Sequence, residues 1–310
     1  MRPKHLYLLD ILRGLASLSI VLWHYQQFFW ISAEGSTQLQ RATLPLYAIL
    51  WPFYDKGYVA VDVFFGISGL VFYYLYSEAL YDRAVSWRQF WLFRFSRLYP
   101  LHFITLLYVA ALQAGVKAEL GNYFVYSVNT PEQFVLNLFF VQHWMPDRKL
   151  SFNGPAWSVS VEILLYAVFF LVATARPTVG GAAVMTALGA VLWNSPIHDI
   201  GRGVECFFAG GLAYFLFRRI GFRPLSFGRP FRLIGDITYS TYLLHFPLQL
   251  TAAFWIGVLG LTIDFTRPIW LFGYLGAVIG LSIPCYYAFE LPAQKWLRSL
   301  TASQLSKRPT

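Results

Sequence analysis

LLDILRGLASLSIVLWHYQQFFW, Leu8–Trp30, decides the fold class of this chain. It is apolar and long enough to cross a bilayer, which takes about 20 residues at ~1.5 Å rise each. Yet it carries Asp10, Arg13 and His24. An Arg inside a spanning helix costs ~2.5–3.5 kcal/mol on insertion scales, so it marks a site rather than a filler position. Arg13 and His24 stand eleven residues apart. At ~100° per residue that is three turns plus roughly 20°, so both side chains face one way, about 16 Å apart along the axis. Ser17 falls on the same stripe, and Asp10, one turn before Arg13, is placed to partner its guanidinium. The stretch predicts a spanning helix that turns a polar rail toward the interior of a bundle.

The rest of the chain reads as membrane too. Hydrophobic residues make up 57%, aromatic residues 19% and charged residues 13%, with mean hydropathy +0.50. Soluble domains carry about 25% charged residues. The net charge of +9 suggests a nucleic-acid partner only until its placement is read. The basic residues cluster at the ends of apolar runs, which is the positive-inside pattern, and no nucleic-acid partner is expected. Cys206 and Cys285 lie singly in apolar runs, without metal or disulfide spacing, and no metal is expected. Asp10 and Arg13 interrupt the first apolar run, which argues against a cleaved leader.

Taken in order, the chain opens on a basic stretch with Arg2, Lys4 and His5. After the first span, residues 31–57 form an outer loop whose segment 43–54 suits the interface. Further spans are expected at about 58–76, 98–113, 155–175, 178–193, 204–217, 234–257 and 268–289. Residues 78–97 (Arg83, Arg88, Arg94, Arg97) and 218–232 (Arg218, Arg219, Arg223, Arg229, Arg232) read as basic inner loops. Residues 134–144 are apolar but too short to cross. An even number of crossings separates the two basic loops, which puts both termini in the cytoplasm. The expectation is one all-α domain over residues 1–310, a polytopic transmembrane helix bundle with about eight to ten spans.

Four more stretches carry candidate chemistry. Val61–Leu70 holds Asp62 near a span end, with Gly66, Ser68 and Gly69 permitting close helix approach. Phe93–Pro100 places Arg94, Arg97 and Tyr99 at the inner start of a span. Asn153–Tyr166 carries Trp157 and takes Glu162 into a span, at a depth expected to match that of His24. Gly235–Pro247 holds His245 about ten residues into a span.

Assembled in this order, these stretches resemble the membrane acyltransferase family 3, the integral membrane O-acyltransferases of bacterial surface glycans and related acceptors. The resemblance runs from Leu9 to Pro292. It rests on Leu9-Asp10-Ile11-Leu12-Arg13-Gly14 with His24 and on Phe64-Phe65-Gly66-Ile67-Ser68-Gly69. It continues through Arg97-Leu98-Tyr99-Pro100, Trp157-Ser158-Val159-Ser160-Val161-Glu162, the run Ile237–Pro247, and Glu290-Leu291-Pro292.

The resemblance implies an inner-membrane O-acyltransferase, with acetyl the expected group, drawing on cytoplasmic acetyl-CoA or another acyl-CoA. The acceptor is then a hydroxyl of a glycan or lipid-linked sugar. His24 is the expected general base, since a neutral imidazole can take a hydroxyl proton. Arg13 and Glu162 complete the catalytic set, with Glu162 expected to orient His24 or the acceptor. Arg94, Arg97 and Tyr99 are candidates for the donor, because a guanidinium matches phosphate bidentately. Asp10, Asp62, Ser68, Trp157 and His245 are candidates for substrate binding. A secondary transporter using Arg, His and Glu as a path is the alternative; it calls for inverted repeats, which the sequence does not show.

Overall fold

The computed structural model describes residues 7–30, 39–146, 148–221 and 232–305, with side chains described to residue 300. Arg2, Lys4, His5, Gly35, Asp147, Arg223, Arg229, Lys307 and Arg308 therefore lie outside the described residues. The described chain is helical, and six of its helical segments are long and apolar enough to cross a membrane. The protein is an all-α membrane bundle.

Helix α1, Tyr7–His24, tightens into a 3₁₀ turn over Tyr25–Trp30. Helix α2, Tyr47–Lys56, exposes Ile49, Trp51 and Phe53 and leads through a short 3₁₀ turn into α3, Ala60–Tyr81. Helix α4 runs Trp87–Leu120 and is 34 residues long. At ~1.5 Å per residue it spans about 51 Å, well beyond a hydrocarbon core of ~30 Å. This corrects the expected inner loop at 78–97. A Ser86–Gln89 capping box starts the helix early, so Arg88, Arg94 and Arg97 ride on its first turns rather than in a loop. Gly121, at φ 80°, ends it.

Helix α5, Pro131–Leu138, is 8 residues long and does not cross, as its length predicts. Helix α6 covers Trp157–Ala175, α7 Val179–Leu192 and α8 His198–Arg219. The last span expected before the second basic loop thus begins six residues earlier than its apolar run, because His198, Asp199 and Arg202 find partners in the fold. A short α9, Arg232–Asp236, breaks at Ile237 before α10, Thr238–Val258. Helix α11, Pro268–Cys285, passes through a π-helical turn at Tyr286–Glu290 into α12, Leu291–Leu305. Pro284 near that junction disturbs the regular ladder.

Helices α3 and α8 cross at close range. A β-carbon on Gly69 would stand 1.7 Å from the Phe207 carbonyl oxygen, and one on Gly210 would stand 2.0 Å from that of Gly66. Only glycine lets the two backbones meet so closely, the device expected of this stretch. Beside the crossing, Phe72, Phe90, Phe169 and Phe207 pack as a buried aromatic cluster, with Tyr166 stacked on Phe72 at 4.3 Å. Helix α10 lies against α1, α4 and α11, which brings His245 beside the end of α1.

Candidate functional site

Five helices enclose one cavity of about 370 Å³, within the ~300–1,000 Å³ usual for ligand pockets. Helix α1 supplies Asp10 and Arg13, α3 Phe64 and Ser68, α4 Arg94 and Arg97, α6 Glu162, and α10 Tyr239. Along α3 the lining runs from Val61 to Leu75, a path of about 21 Å at ~1.5 Å per residue. The cavity is therefore long, and it is polar at the end toward Tyr81 and Trp87.

The polar lining is built by helical phase. Ser158, Glu162 and Tyr166 recur every fourth residue on α6 and so share one stripe along the cavity. Glu162 accepts from Ser68 Oγ at 2.8 Å and from the Tyr166 hydroxyl at 2.5 Å. Arg94 donates to the Tyr76 hydroxyl at 2.6 Å and lies over the rings of Phe72 and Tyr76, 4.9 and 5.0 Å from their centroids. Its Nε is buried with no partner among the described residues. Arg13 makes no hydrogen bond among the described residues, and its electrostatic neighbours are Arg97, Asp10, Glu162 and Tyr166. Tyr239 donates to the Leu98 carbonyl at 2.6 Å and holds α10 against α4.

Three guanidiniums and two carboxylates thus face one low-dielectric space. Like charges held there repel, and a bound anion relieves the repulsion. Guanidinium forks present paired N–H groups suited to phosphate or carboxylate oxygens.

At the other end the cavity stops at Tyr242, whose hydroxyl donates to the Pro155 carbonyl and accepts from Ser158 Oγ at 2.6 Å. Beyond Tyr242 stands His245, with ring centres 5.9 Å apart, and beyond it His24, 4.6 Å further from ring centre to ring centre. Both histidines are buried.

The structure separates residues that the sequence had joined. Arg13 and His24 do face inward on one stripe, but the rail between them is broken. Ser17 turns its hydroxyl to the Gly14 carbonyl of its own helix, and Ile20 and Val21 are buried apolar positions. Glu162 lies with Arg13 rather than beside His24, because its stripe on α6 faces the cavity. Asp10 shares the cavity wall with Arg13 and packs on Gly235, where a β-carbon would stand 2.5 Å from it. Ser68, Arg94 and Arg97 line the cavity as well.

Three other candidates lie off it. Asp62 turns to α8 and binds Arg202 through both oxygens, at 2.9 and 3.0 Å. Tyr99 stacks on Phe95 and Phe103 of its own helix, at 4.4 and 5.9 Å. Trp157 packs near His143 and Phe65. Among the described residues no group of His, Cys, Asp and Glu side chains has the makings of a metal site.

Sequence reasoning passed over Tyr166, Tyr239 and Tyr242, which read as interface aromatics. The signal that marks Tyr166 and Tyr242 is position, four residues after Glu162 and three before His245 inside a span, and Tyr239 stands one turn before Tyr242. It also passed over the pairing of His143 with Asp199, at 2.7 Å, and of Asp199 with Arg202, which only the fold assembles.

Comparison with known proteins identifies the family. The family model described as an acyltransferase domain, that of acyltransferase family 3, matches residues 6–226. Protein 2 in the picA locus of Rhizobium radiobacter is 29% identical over 202 residues, which is 61% of this chain and 93% of that protein. Acyltransferase MdmB of Streptomyces mycarofaciens is 32% identical over 170 residues, 51% of this chain. The match spans 36% of MdmB's own length. No solved structure matches the chain significantly. With the family model covering well over half of the chain, including the helices that carry Arg13, Ser68, Arg94, Arg97 and Glu162, the chain belongs to acyltransferase family 3 and is a membrane acyltransferase.

Proposed function

We infer that this acyltransferase moves an acyl group, acetyl in the simplest case, from cytoplasmic acyl-CoA to a hydroxyl of a glycan or lipid-linked sugar in the inner membrane. One observation carries the reading. Arg13, Arg94 and Arg97 converge on one end of a long cavity whose other end reaches Tyr242, with His245 and His24 directly behind it. CoA is a long molecule with phosphates at one end and a thioester at the other. The arginines suit the phosphates, and the length of the cavity directs the thioester toward the histidines.

Donor and acceptor then meet from opposite sides of the Tyr242 partition. His24 takes the proton of the attacking hydroxyl, the new C–O bond forms at the acyl carbon, the C–S bond breaks, and the thiol leaves with a proton. Ser68 and Tyr166 hold Glu162 toward the arginines, where it limits how tightly the spent anion is retained. The basic side of the bundle, with Arg83, Arg88, Arg218 and Arg219, faces the cytoplasm on this reading.

The test uses the full chain reconstituted in lipid vesicles with labelled acetyl-CoA. It is joined to mass spectrometry of surface glycans from cells with and without the gene. A label that becomes ester-linked, and an ester lost from the glycans of the deleted strain, support the reading. Unchanged glycans together with no acyl-CoA consumption overturn it.

A further inference from the structure

His24 and His245 stand on different helices, α1 and α10, with ring planes tilted by 51°. They are 7% and 0% exposed. In each ring Nδ1 lies within hydrogen-bond distance of a backbone carbonyl, Ile20 at 2.9 Å for His24 and Tyr242 at 2.6 Å for His245. A carbonyl oxygen has no proton to give, so Nδ1 carries the N–H in both rings. Each neutral ring therefore has its lone pair on Nε2. That of His245 is buried and without a partner among the described residues.

The surroundings hold the pair but do not neutralise it. Gln249 of α10 donates from Nε2 to the His24 carbonyl at 2.9 Å, and its Oε1 is buried without a partner among the described residues. Tyr274 of α11 donates to the His245 carbonyl at 3.1 Å. Trp23 of α1 sets its ring edge against His24 at 4.6 Å, and Tyr242 flanks His245. Arg13 and Glu162 line the cavity on the far side of Tyr242. The His24 ring itself is the neighbour in contact with His245 from α1.

A base that becomes cationic here needs somewhere to place its charge. In serine hydrolases a carboxylate on Nδ1 stabilises the imidazolium. In His24 that nitrogen is committed to a carbonyl. We propose that His245 serves instead as the positioning partner of His24, sharing the proton taken from the acceptor hydroxyl through an N–H···N bridge between the two Nε2 atoms. The proposal rests on the acyl-transfer reading above. In the step, the hydroxyl oxygen forms the C–O bond as the C–S bond breaks. Its proton passes to His24 Nε2 and is held between the rings, then leaves on the thiolate sulfur as the thiol. The pair returns to its neutral state and no other reactant is needed. The unpartnered lone pair of His245 Nε2 suits this bridging proton.

The experiment compares wild type with His245→Asn and His245→Gln in lipid nanodiscs. Asn retains an N–H near the Nδ1 position and removes Nε2; Gln restores a lone pair that cannot hold a proton. Two readouts are taken: acyl transfer from acetyl-CoA across pH, and ring-nitrogen NMR of ¹⁵N-histidine-labelled protein. Both variants are expected to lose at least 10-fold in kcat, below the ~10²–10⁴ of the base itself, with the KM for acetyl-CoA unchanged. The acid limb of the pH profile should move, because the proton is then held by one ring.

In wild type the two rings should titrate as one shared event, and the His24 signals should change when Nε2 of His245 is removed. Transfer within threefold of wild type with an unmoved acid limb overturns the proposal, as do rings that titrate independently. If wild type transfers nothing, the acyl-transfer reading fails, while NMR still decides whether the pair shares a proton.

Discussion

Arg13 shares the cavity wall with Asp10, Arg97 and Glu162 and makes no hydrogen bond among the described residues. On the acyl-transfer reading proposed above, this group receives the incoming anion. Lys at this position keeps the charge and loses the planar fork. Arg13→Lys should therefore insert and fold normally but lose about 10-fold or more in kcat/KM for acyl-CoA, about 1.4 kcal/mol of transition-state binding, read from initial rates in vesicles. His24→Ala removes the proposed base without adding a buried charge. Its transfer should fall by about 10²–10⁴ at near-normal abundance, and retention of more than a tenth would reassign the base. Glu162→Gln keeps partners for Ser68 and Tyr166 but removes a negative charge from beside the arginines. Binding of CoA, measured calorimetrically, should hold or tighten while turnover drops; weaker CoA binding would contradict an anion site. The polar identity of Arg13, His24 and Glu162 was legible in the sequence, because each is costly in a span. Their grouping was not: Glu162 joined Arg13, and His24 joined His245.

At the scale of elements, the α3–α8 crossing holds the cavity wall in place. Gly69 faces a backbone carbonyl, not a flexible side chain that can move aside. Gly69→Ala must part the two helices, at a cost of about 1–3 kcal/mol for overpacking. Thermal unfolding in detergent should show a lower midpoint, and transfer should fall with it as Ser68 shifts from Glu162. Gly276→Ala on α11 meets nothing within 4 Å and serves as the control that should leave both unchanged. The same crossing explains why Asp62 is not in the cavity. Helical phase places it with Gly66 and Gly69 on the face toward α8, where Arg202 binds it. Helix α4 shows the converse limit of the sequence pattern. Its apolar run marks the part that lies in lipid, whereas the capping box at Ser86 sets where the helix starts, so Arg94 and Arg97 were read as loop residues although they are helical.

Over the whole molecule, charge is segregated: Arg83, Arg88, Arg218, Arg219 and Arg232 gather at the end where α3 and α8 finish and α4 begins. On the positive-inside rule, the proposed orientation puts that end in the cytoplasm. Reporters inserted after Ala84 and after Gly221 should read as cytoplasmic and one after Asn194 as extracytoplasmic; the reverse pattern would turn the donor cavity to the wrong side for cytoplasmic acyl-CoA. By itself the sequence determined that this is an all-α membrane bundle, since only runs of apolar residues with internally satisfied backbones survive in lipid. It also determined which polar residues stand out, since an ionisable group in such a run carries a cost that a function must justify. What only the tertiary structure decided is partnership. Periodicity assigns each residue a face on its own helix, but which neighbour that face meets depends on helix crossings set by Gly69, Gly210 and the break at Ile237. Through those crossings the arginines of two helices share one cavity with Glu162, and two histidines 221 positions apart in the chain come to rest 4.6 Å from one another.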